Sequence, residues 1–242
     1  MVVTGTEVVE GRVREANAGP ICRDLADLGV RVEVVVTVGD GIDDLVGALR
    51  AVLDRGAGLV VTTGGLGPTH DDRTMEAVAR VAGRPLALDP AALAMVEERT
   101  RGFVSRTSAE TMRHTREKQS TLPAGARVLP PPGTAPGAVL EVAGSVVVVL
   151  PGPPWECRAM WADALQDPAV RAVVGAAVSD RRVLRFARVV ESEFVQALGA
   201  VPEADRAAAE VGVCARPGEL EVTVRPAPGA GPGGARAVEG AL

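Results

Sequence analysis

Short apolar runs rich in β-branched residues alternate along the chain with segments in which apolar side chains recur every three or four positions. The apolar runs predict strands over Met1–Thr4, Arg31–Val38 and residues 59–63. The amphipathic segments predict helices over Asn17–Leu28, Asp43–Leu53 and residues 73–81. Alternation of this kind is typical of βαβ units, because each helix returns the chain so that successive strands pair in parallel. The predicted fold class is therefore α/β with a mainly parallel sheet.

The middle of the chain departs from that alternation. Residues 90–115 are charged and of mixed helical character, and we expect them to form an excursion from the sheet. Val139–Val142 and Ser145–Leu150 predict a hairpin that turns at Ala143-Gly144, with a strongly β-branched second strand. The segment Pro151–Pro154 then leads into a helix that begins near Trp155.

A change of composition near residues 167–180 indicates a domain boundary. Beyond it, the pattern predicts a strand over Val183–Val189, a helix from Ser192 to about Leu198 and a strand over Leu220–Arg225. Residues 226–234 are almost entirely proline, glycine and alanine, which is typical of a flexible linker or tail. The predicted organisation is an α/β domain over residues 1–170, a small α+β domain over 180–225 and a flexible tail over 226–242.

Composition and charge narrow the class of protein. The 242 residues are 47% hydrophobic, which is enough for a substantial core, and a net charge of −5 disfavours a general nucleic-acid or anionic-membrane surface. No apolar run approaches membrane-spanning length, so a cytoplasmic location is expected. The three cysteines are far apart and lack metal-ligand spacing, so we expect them to be reduced. Lys118 is the only lysine among 26 lysine and arginine residues, which indicates either a need for an ammonium group or chance.

Residues 58–72 are the stretch most informative about function, because an apolar strand gives way to three glycines and two adjacent carboxylates. Gly64, Gly65 and Gly67 permit a sharp turn and bring backbone N–H groups close to a ligand. Asp71 and Asp72 stand directly before the helix predicted over residues 73–81. The end of a buried strand followed by a helix N-terminus is where α/β sheets bind anions such as phosphate. The alternative is a tight turn in which one aspartate caps the helix.

Further candidates follow other predicted strands. Asp40 is a candidate metal ligand, although Gly39-Asp40-Gly41 is also a favourable turn sequence. The segment Gly133–Gly137 offers small side chains and free amides to a phosphate or a base, or else forms a simple loop. Glu156 falls in a first helical turn, where the helix dipole alone favours a carboxylate. Candidates for contacts to a ribose or base after the first strand are Thr6, Glu7 and Asn17.

The histidines and tryptophans have simpler explanations. His70 lies in the glycine-rich loop and is expected to be exposed, with substrate contact as the alternative, and His114 is expected to be solvated. No pair of histidines has metal-ligand spacing. Trp155 and Trp161 are expected to pack their helix against the sheet rather than to stack on a ligand.

Together these motifs resemble the competence/damage-inducible protein A family, which shares a domain with molybdopterin-binding proteins and molybdopterin adenylyltransferases. The resemblance covers about residues 1–225 and depends on motifs that occur in the right order: Gly5-Thr6-Glu7 with Gly11 and Asn17, Gly39-Asp40, Gly64–Asp72, Lys118-Gln119, Gly133–Gly137, and Pro151–Pro154 with Glu156.

The chain departs from the family pattern at several places. Arg116, Pro130 and Arg188 stand where the family has two asparagines and a glycine. The chain begins close to Gly5, so the first strand is expected to be shortened, with a frayed edge. The family's C-terminal amidohydrolase domain is not found in these 242 residues, and deamidation is not expected.

The resemblance implies a three-layer α/β/α sandwich with a small KH-like appendage. It also implies hydrolysis of the pyrophosphate in ADP-ribose, FAD and related nucleotides with a divalent metal, expected to be Mg²⁺. Asp71, Asp72 and Lys118 would be catalytic, with one aspartate facing the ligand and Lys118 neutralising charge on the bridging oxygen. The expected metal ligands are Asp40 and Asp72, and backbone N–H groups from Gly64 to Gly67 would hold a phosphate. Residues expected to contact the substrate are Thr6, Glu7, Asn17, Thr63, Gly64, Gly65, Leu66, Gly67, Gly133, Thr134, Ala135, Gly137, Pro151, Gly152 and Glu156.

Alternative functions remain open at this stage. A related adenylyltransferase would use the same loop to hold the phosphate of molybdopterin, and a non-catalytic protein would bind a pterin or nucleotide without turnover. A KH-like domain suggests RNA, but residues 181–225 contain seven arginines against seven acidic residues and no Gly-x-x-Gly loop, which disfavours RNA binding. The resemblance also implies a homo-oligomer, either a dimer or a trimer.

Overall fold

The computed structural model describes residues 1–102, 108–176, 181–227, 229–230 and 233–241. The chain divides into two compact units, Met1–Ala177 and Val178–Leu242, which are called the first unit and the second unit below. Within the described residues, no helix combines the length and the apolar character needed to cross a membrane.

The strands of the first unit form two sheets. They are β1 (Val2–Thr4), β2 (Val36–Val38), β3 (Leu59–Thr63), β4 (Leu86–Leu88), β5 (Thr121–Pro123), β6 (Arg127–Leu129), β7 (Gly137–Val142) and β8 (Ser145–Leu150). The larger sheet has the order β2-β1-β3-β8-β7-β6, and the smaller one pairs β4 with β5. Strands β2, β1, β3 and β8 are parallel, whereas β7 runs antiparallel to both of its neighbours. The predicted α/β fold with a mainly parallel sheet is confirmed.

Helices cover both faces of the larger sheet. The helices of the first unit are α1 (Thr6–Val9), α2 (Ala18–Asp27), α3 (Ile42–Leu53), α4 (Thr74–Ala82), α5 (Pro90–Thr100), α6 (Ala109–Gln119), α7 (Pro154–Ala164) and α8 (Pro168–Gly175). One core, with Ile21 and Val61, joins the sheet to α2, α7 and α8, and the other, with Leu49 and Val60, joins it to α3 and α4. Val60 and Val61 enter different cores because side chains alternate along a strand. The three-layer α/β/α sandwich is confirmed.

The strand order identifies where a ligand can bind. β1 connects through α2 to β2, which pairs with one edge of β1. β2 then connects through α3 to β3, which pairs with the other edge of β1. Because α2 and α3 lie on opposite faces of the sheet, a crevice opens beyond the carboxyl ends of β1 and β3. The residues that follow Thr4 and Thr63 therefore lie at this crevice.

Two predicted strands differ in the structure. β2 is limited to Val36–Val38 because its partner β1 pairs Val2 with Val36, so that residues 31–35 extend past the start of that partner. β1 is not a frayed edge, since it lies between β2 and β3 and the Met1 ammonium group donates to the Val34 carbonyl oxygen at 2.7 Å.

The predicted hairpin and excursion are present. Ala143 and Gly144, which join β7 to β8, have φ values of 50° and 83°, and a two-residue turn that matches the strand twist needs such left-handed residues. In the excursion, Arg116 Nε donates to Thr100 Oγ1 at 2.8 Å and so ties α6 to α5. Residues 103–107 of the predicted stretch lie outside the described part of the chain.

The second unit is an α+β domain with an antiparallel sheet in the order β10-β11-β9. Its elements are β9 (Arg182–Ala187), α9 (Glu191–Ala200), α10 (Glu203–Ala207), β10 (Ala209–Arg216), β11 (Glu219–Pro226) and α11 (Gly233–Ala241). β10, α10 and α11 were not predicted. The prediction of a flexible tail over 226–242 is wrong where α11 forms, because Ala235 and Val238 are buried in the core of this unit. α11 can pack close to the end of α10 because Gly234 has no side chain, since a Cβ on Gly234 would lie 2.4 Å from the Cβ of Ala208. Residues 228, 231, 232 and 242 of that tail, and residues 177–180 of the predicted boundary, lie outside the described residues.

Arg188, at the position where the resemblance implies a glycine, has a φ of 62°. A left-handed conformation costs a residue with a Cβ about 1–2 kcal/mol. We therefore expect Arg188→Gly to raise the free energy of unfolding of the second unit by about 0.5–1 kcal/mol, after subtraction of the extra chain entropy of glycine. Slower hydrogen exchange of the backbone amides in β9 and β11 would show this increase in the free energy of unfolding. The control is Ala215→Gly inside β10, which should speed exchange, and faster exchange in both variants would contradict the prediction.

Candidate ligand-binding cleft

A cleft of about 480 Å³ opens beyond the carboxyl ends of β1, β3 and β8. The segment before α2 and the first turn of α7 complete its wall. The predicted site residues that line it are Glu7, Asn17, Asp40, Thr63, Gly64, Gly65, Leu66, Gly67, Asp71, Asp72, Thr134, Ala135, Pro151, Gly152 and Glu156. The structure therefore brings candidates from six separate stretches of the sequence around one cavity.

Gly64 is the position at which the turn from β3 into the loop requires glycine. Its φ is 102°, and a Cβ there would lie 2.4 Å from the carbonyl oxygen of Thr4 in β1. Its N–H donates to the Leu150 carbonyl oxygen of β8 at 3.1 Å. The prediction that this N–H holds a phosphate is therefore wrong, because Gly64 is used to close β3 against its two neighbours.

The next three residues keep their N–H groups available. Gly65, Leu66 and Gly67 line the cleft, and their N–H groups donate to no acceptor among the described residues. Thr74 holds the turn in place, because its Oγ1 donates to the Gly64 carbonyl oxygen at 2.8 Å. Because free N–H groups at the end of a parallel strand attract anions, Gly65–Gly67 is the candidate phosphate site.

Asp71 and Asp72 both line the cleft, so both are placed near a bound ligand, and the expectation that only one of them faces it stays a prediction. Thr69 organises the pair: its hydroxyl bonds to Asp71 Oδ1 and lies 2.6 Å from Asp72 Oδ2, and its N–H donates to Asp72 Oδ2 at 2.9 Å. The Thr69 hydroxyl, followed by the N–H of Asp71, lowers the pKa of the Asp71 carboxyl. Neither aspartate caps α4, whose N-terminal flanking residue is Arg73 without a side-chain cap.

Lys118 does not line the cleft, in contrast to its predicted catalytic contact. Its Nζ donates to the Thr69 carbonyl oxygen, and the residue lines a second cavity of about 570 Å³. The two cavities share the segment Gly65–Pro68 as a common wall. His70 and His114 line the second cavity and are exposed, which agrees with their expected solvation. In this arrangement Lys118 positions the loop rather than reaching into the cleft.

Asn17 joins the ends of two strands, β3 and β8, beneath the cleft. Its Nδ2 donates to Thr63 Oγ1 and to the Gly152 carbonyl oxygen, both at 2.8 Å, and Thr63 Oγ1 donates to the Pro151 carbonyl oxygen at 2.9 Å. Asn17 Oδ1 is buried and has no hydrogen-bond partner among the described residues. An acceptor left in that state costs about 1–3 kcal/mol, so the two donated bonds must matter to the fold of the cleft.

Asp40 and Thr6 bind each other at the edge of the cleft. Asp40 accepts hydrogen bonds from Thr4 Oγ1 at 3.0 Å and from the Thr6 N–H at 2.8 Å, and the Thr6 hydroxyl accepts from the Asp40 N–H at 3.2 Å. Thr6 does not line the cleft, so its predicted substrate contact is not seen. Both Asp40 oxygens already have a protein partner, which weakens the expectation that Asp40 is a metal ligand.

Two glycines of the segment Gly133–Gly137 serve packing instead of ligand contact. Gly137 is buried in β7, where a Cβ would lie 2.2 Å from Met160 Sδ, so its predicted substrate contact is wrong. Gly133 is not part of the cleft lining, and a Cβ there would lie 2.3 Å from Cδ of Glu156. Thr134 lies between them in the cleft wall, and its Oγ1 accepts from Gln119 Nε2 at 3.2 Å.

The cleft lining also contains residues that were not selected from the sequence, among them the polar residues Arg14, Glu15 and Gln119. Glu15 Oε1 accepts from the N–H groups of Asn17 at 2.6 Å and Ala18 at 2.8 Å, so it caps α2. A carboxylate just before a predicted helix is a capping signal that could have identified Glu15. Gln119 belongs to a motif of the resembled family, whereas Arg14 has no recognisable signal.

The two tryptophans of α7 differ in environment. Trp161 is buried, and its Nε1 donates to Asp24 Oδ2 at 3.2 Å, as expected of a residue that packs the helix against the sheet. Trp155 is 57% exposed, so the same prediction is wrong for it. Because the side chain at the second position of α7 points to solvent, Trp155 adds nothing to the core.

The cleft is strongly acidic, which bears on metal binding. Its ionisable lining comprises one basic residue, Arg14, and six acidic residues: Glu7, Glu15, Asp40, Asp71, Asp72 and Glu156. Within the described residues, no group of three or more His, Cys, Asp or Glu side chains is arranged to hold a metal ion by itself. Mg²⁺ commonly binds through one or two carboxylates together with the phosphates of a ligand, and the adjacent Asp71 and Asp72 fit that mode.

Comparison with known proteins gives consistent matches. A family described as "Probable molybdopterin binding domain" matches residues 1–172. A CinA-like protein from Mycobacterium avium is 41% identical over 93% of this chain and 55% of its own length, and one from Mycobacterium tuberculosis H37Ra is 36% identical over 95% and 55%. The solved structure of the protein CinA, of unknown function, from Thermoplasma acidophilum is 34% identical, with a TM-score of 0.61 over 69% of this chain and 96% of that one. The chain spans about half the length of the curated relatives it matches.

Proposed function

This chain belongs to the CinA-like proteins and, over residues 1–172, to the molybdopterin binding domain family, and from that premise we propose that its cleft binds a phosphate-bearing pterin or nucleotide. The observation that supports this most directly is that the N–H groups of Gly65, Leu66 and Gly67, at the end of β3, donate to no acceptor in the part of the chain that the structure describes. Phosphate oxygens accept hydrogen bonds from such groups without a lysine in contact. A cleft of about 480 Å³ also suits a ligand of nucleotide size.

A hydrolytic activity is the second candidate, and the adjacent aspartates favour it. We propose that Asp71 and Asp72 hold Mg²⁺ together with the ligand phosphates, where the ion, when bound, would offset the repulsion between phosphate and the acidic cleft. In ADP-ribose or FAD, water would then attack one phosphorus atom of the pyrophosphate. The P–O bond to the bridging oxygen breaks, the water oxygen bonds to phosphorus, and the bridging oxygen leaves with the other phosphate. The protons of the water pass to the departing phosphate or to solvent. Lys118 would act on this step through Thr69, as a positioning residue.

One experiment separates the two candidates. The protein is incubated with ADP-ribose and, in a second series, with FAD, each with and without Mg²⁺, and AMP is followed by chromatography. AMP that forms only with Mg²⁺ supports a nucleotide pyrophosphatase. Calorimetric binding of AMP or a pterin phosphate without product supports a binding protein. If there is neither product nor binding, the proposal for the cleft is wrong.

A further inference from the structure

Glu156 places a carboxyl group in the wall of the cleft. It is the third residue of α7, it is half-buried, and it makes no hydrogen bond or ion pair with any described residue. Burial alone raises its pKa, since no neighbouring donor or cation compensates for the lost water. Placing a carboxyl group in this state is unfavourable unless donors from outside the protein complete it.

The sequence excludes the usual structural role of a glutamate at this position of a helix. A glutamate at the third position of a helix normally accepts a hydrogen bond from the backbone N–H of the capping residue. In α7 the capping residue is Pro153, which has no N–H, and the first helical residue is Pro154, which has none either. The helix dipole still favours a carboxylate here, by about 0.3–1 kcal/mol at an exposed site, but this attraction does not require burial.

A second segment of the chain makes room for this carboxyl group. A Cβ on Gly133 would lie 2.3 Å from Glu156 Cδ and 2.4 Å and 2.5 Å from its two oxygens. Any other residue at position 133 would therefore displace the carboxyl group. Two distant segments, the loop before β7 and the start of α7, thus combine to hold an unpartnered carboxyl group in the cleft wall.

We propose that Glu156 is a specificity-determining residue that binds a pair of adjacent hydrogen-bond donors on the ligand, while the phosphate of the same ligand binds at Gly65–Gly67. The two oxygens of a carboxylate match two neighbouring donors, and a phosphate, which is an acceptor, is repelled there. Such pairs occur as the vicinal hydroxyls of a ribose and as the N–H and amino group on the edge of a pterin ring. This inference rests on the proposed function of the cleft and fixes the direction in which the ligand lies.

The test is calorimetric titration with two matched pairs of probes: AMP and its 2′,3′-dideoxy analogue, and pterin and lumazine, which lacks the amino group. Pyrophosphate is the probe without the donor pair, and all titrations contain Mg²⁺. The wild type is expected to prefer the donor-bearing member of one pair by about tenfold or more, and that pair identifies the source of the donors. In Glu156→Gln the preference should fall to about threefold or less, with pyrophosphate affinity retained. Gly133→Ala, which keeps the charge but displaces the carboxyl group, should give the same loss.

Asp163→Asn is the matched control, because Asp163 is an exposed carboxylate on the same helix and lies outside the cleft lining. It should behave as the wild type. Equal affinity within both pairs in the wild type, or a preference that survives Glu156→Gln, would overturn the inference. Binding of pyrophosphate alone would also overturn the inference about Glu156, but it would still support the phosphate site at Gly65–Gly67. If none of the probes binds, the proposed function of the cleft is wrong.

Discussion

Replacement of Gly64 by alanine is expected to lower the free energy of unfolding of the first unit by about 3–5 kcal/mol. The new Cβ would lie 2.4 Å from the Thr4 carbonyl oxygen and 2.9 Å from Thr4 Cγ2, and a φ of 102° is unfavourable for alanine. β1 cannot yield easily, because β2 and β3 pair with it on both sides. Since Gly64 also sets the direction of the following N–H groups, the variant should lose pyrophosphate binding.

Urea unfolding followed by tryptophan fluorescence measures this effect in the first unit, because Trp155 and Trp161 both lie there and the chain has two tryptophans. Gly47→Ala is the matched control. Gly47 is an exposed residue inside α3, and no atom lies within 4 Å of the position a Cβ would take, so alanine should stabilise by about 0.5–1 kcal/mol. Similar unfolding midpoints for both variants would show that Gly64 is not the constraint that its geometry indicates.

Under the proposed hydrolysis, replacement of Asp72 by asparagine is expected to reduce Mg²⁺-dependent formation of AMP from ADP-ribose by at least about 100-fold. Asp72 lines the cleft beside the candidate phosphate site, since a Cβ on Gly67 would lie 2.5 Å from its Oδ2. Asparagine keeps an oxygen that can accept from Thr69 but loses the negative charge that a cation needs. The loop should therefore remain folded while the dependence on Mg²⁺ disappears.

Two measurements check the role of Asp72. The rate of AMP formation is compared with that of Asp163→Asn, which changes the same charge on α7 and should retain wild-type activity. Calorimetry then compares AMP binding with and without Mg²⁺, and Mg²⁺ should tighten binding in the wild type but not in Asp72→Asn. A variant that keeps more than a tenth of the wild-type rate would show that Asp72 neither holds the metal nor orients water.

The sequence predicted the buried layers of the fold well because burial leaves a strong pattern. β3 and β8 are short, valine-rich runs buried on both faces, and α3 has an apolar stripe at helical spacing. β2 was predicted too long because its length depends on how far its partner strand extends, which local sequence does not encode. α11 was missed for a similar reason: a segment of glycine and alanine resembles a flexible tail until a partner surface covers it.

In the candidate site, the sequence identified the loop but not the use of each group. Three glycines and two aspartates in one turn are a clear signal, whereas the pairing of the Gly64 N–H with Leu150 depends on the neighbouring strand. Lys118 is conspicuous in the sequence, yet the path of α6 places it beside a different cavity. Glu156 had a sufficient local explanation in the helix dipole. The resemblance implied that it contacts the substrate, and the structure adds a physical reason: its carboxyl group packs against Gly133 and has no partner among the described residues.

The bonds that complete the cleft also set when it can form on the ribosome. Thr63 bonds to Pro151, 88 residues later, and Asn17 bonds to Gly152, 135 residues later. At a synthesis rate of about 5–20 residues per second, an emerging chain waits roughly 4–18 s between the end of β3 and the turn after β8. During that interval the edge of the apolar strand β3 that later pairs with β8 has no partner strand, and an unpaired edge can pair with a wrong strand. The cleft is consequently among the last parts of the first unit to be assembled, and a ligand that occupies it binds only chains that have folded as far as Gly152.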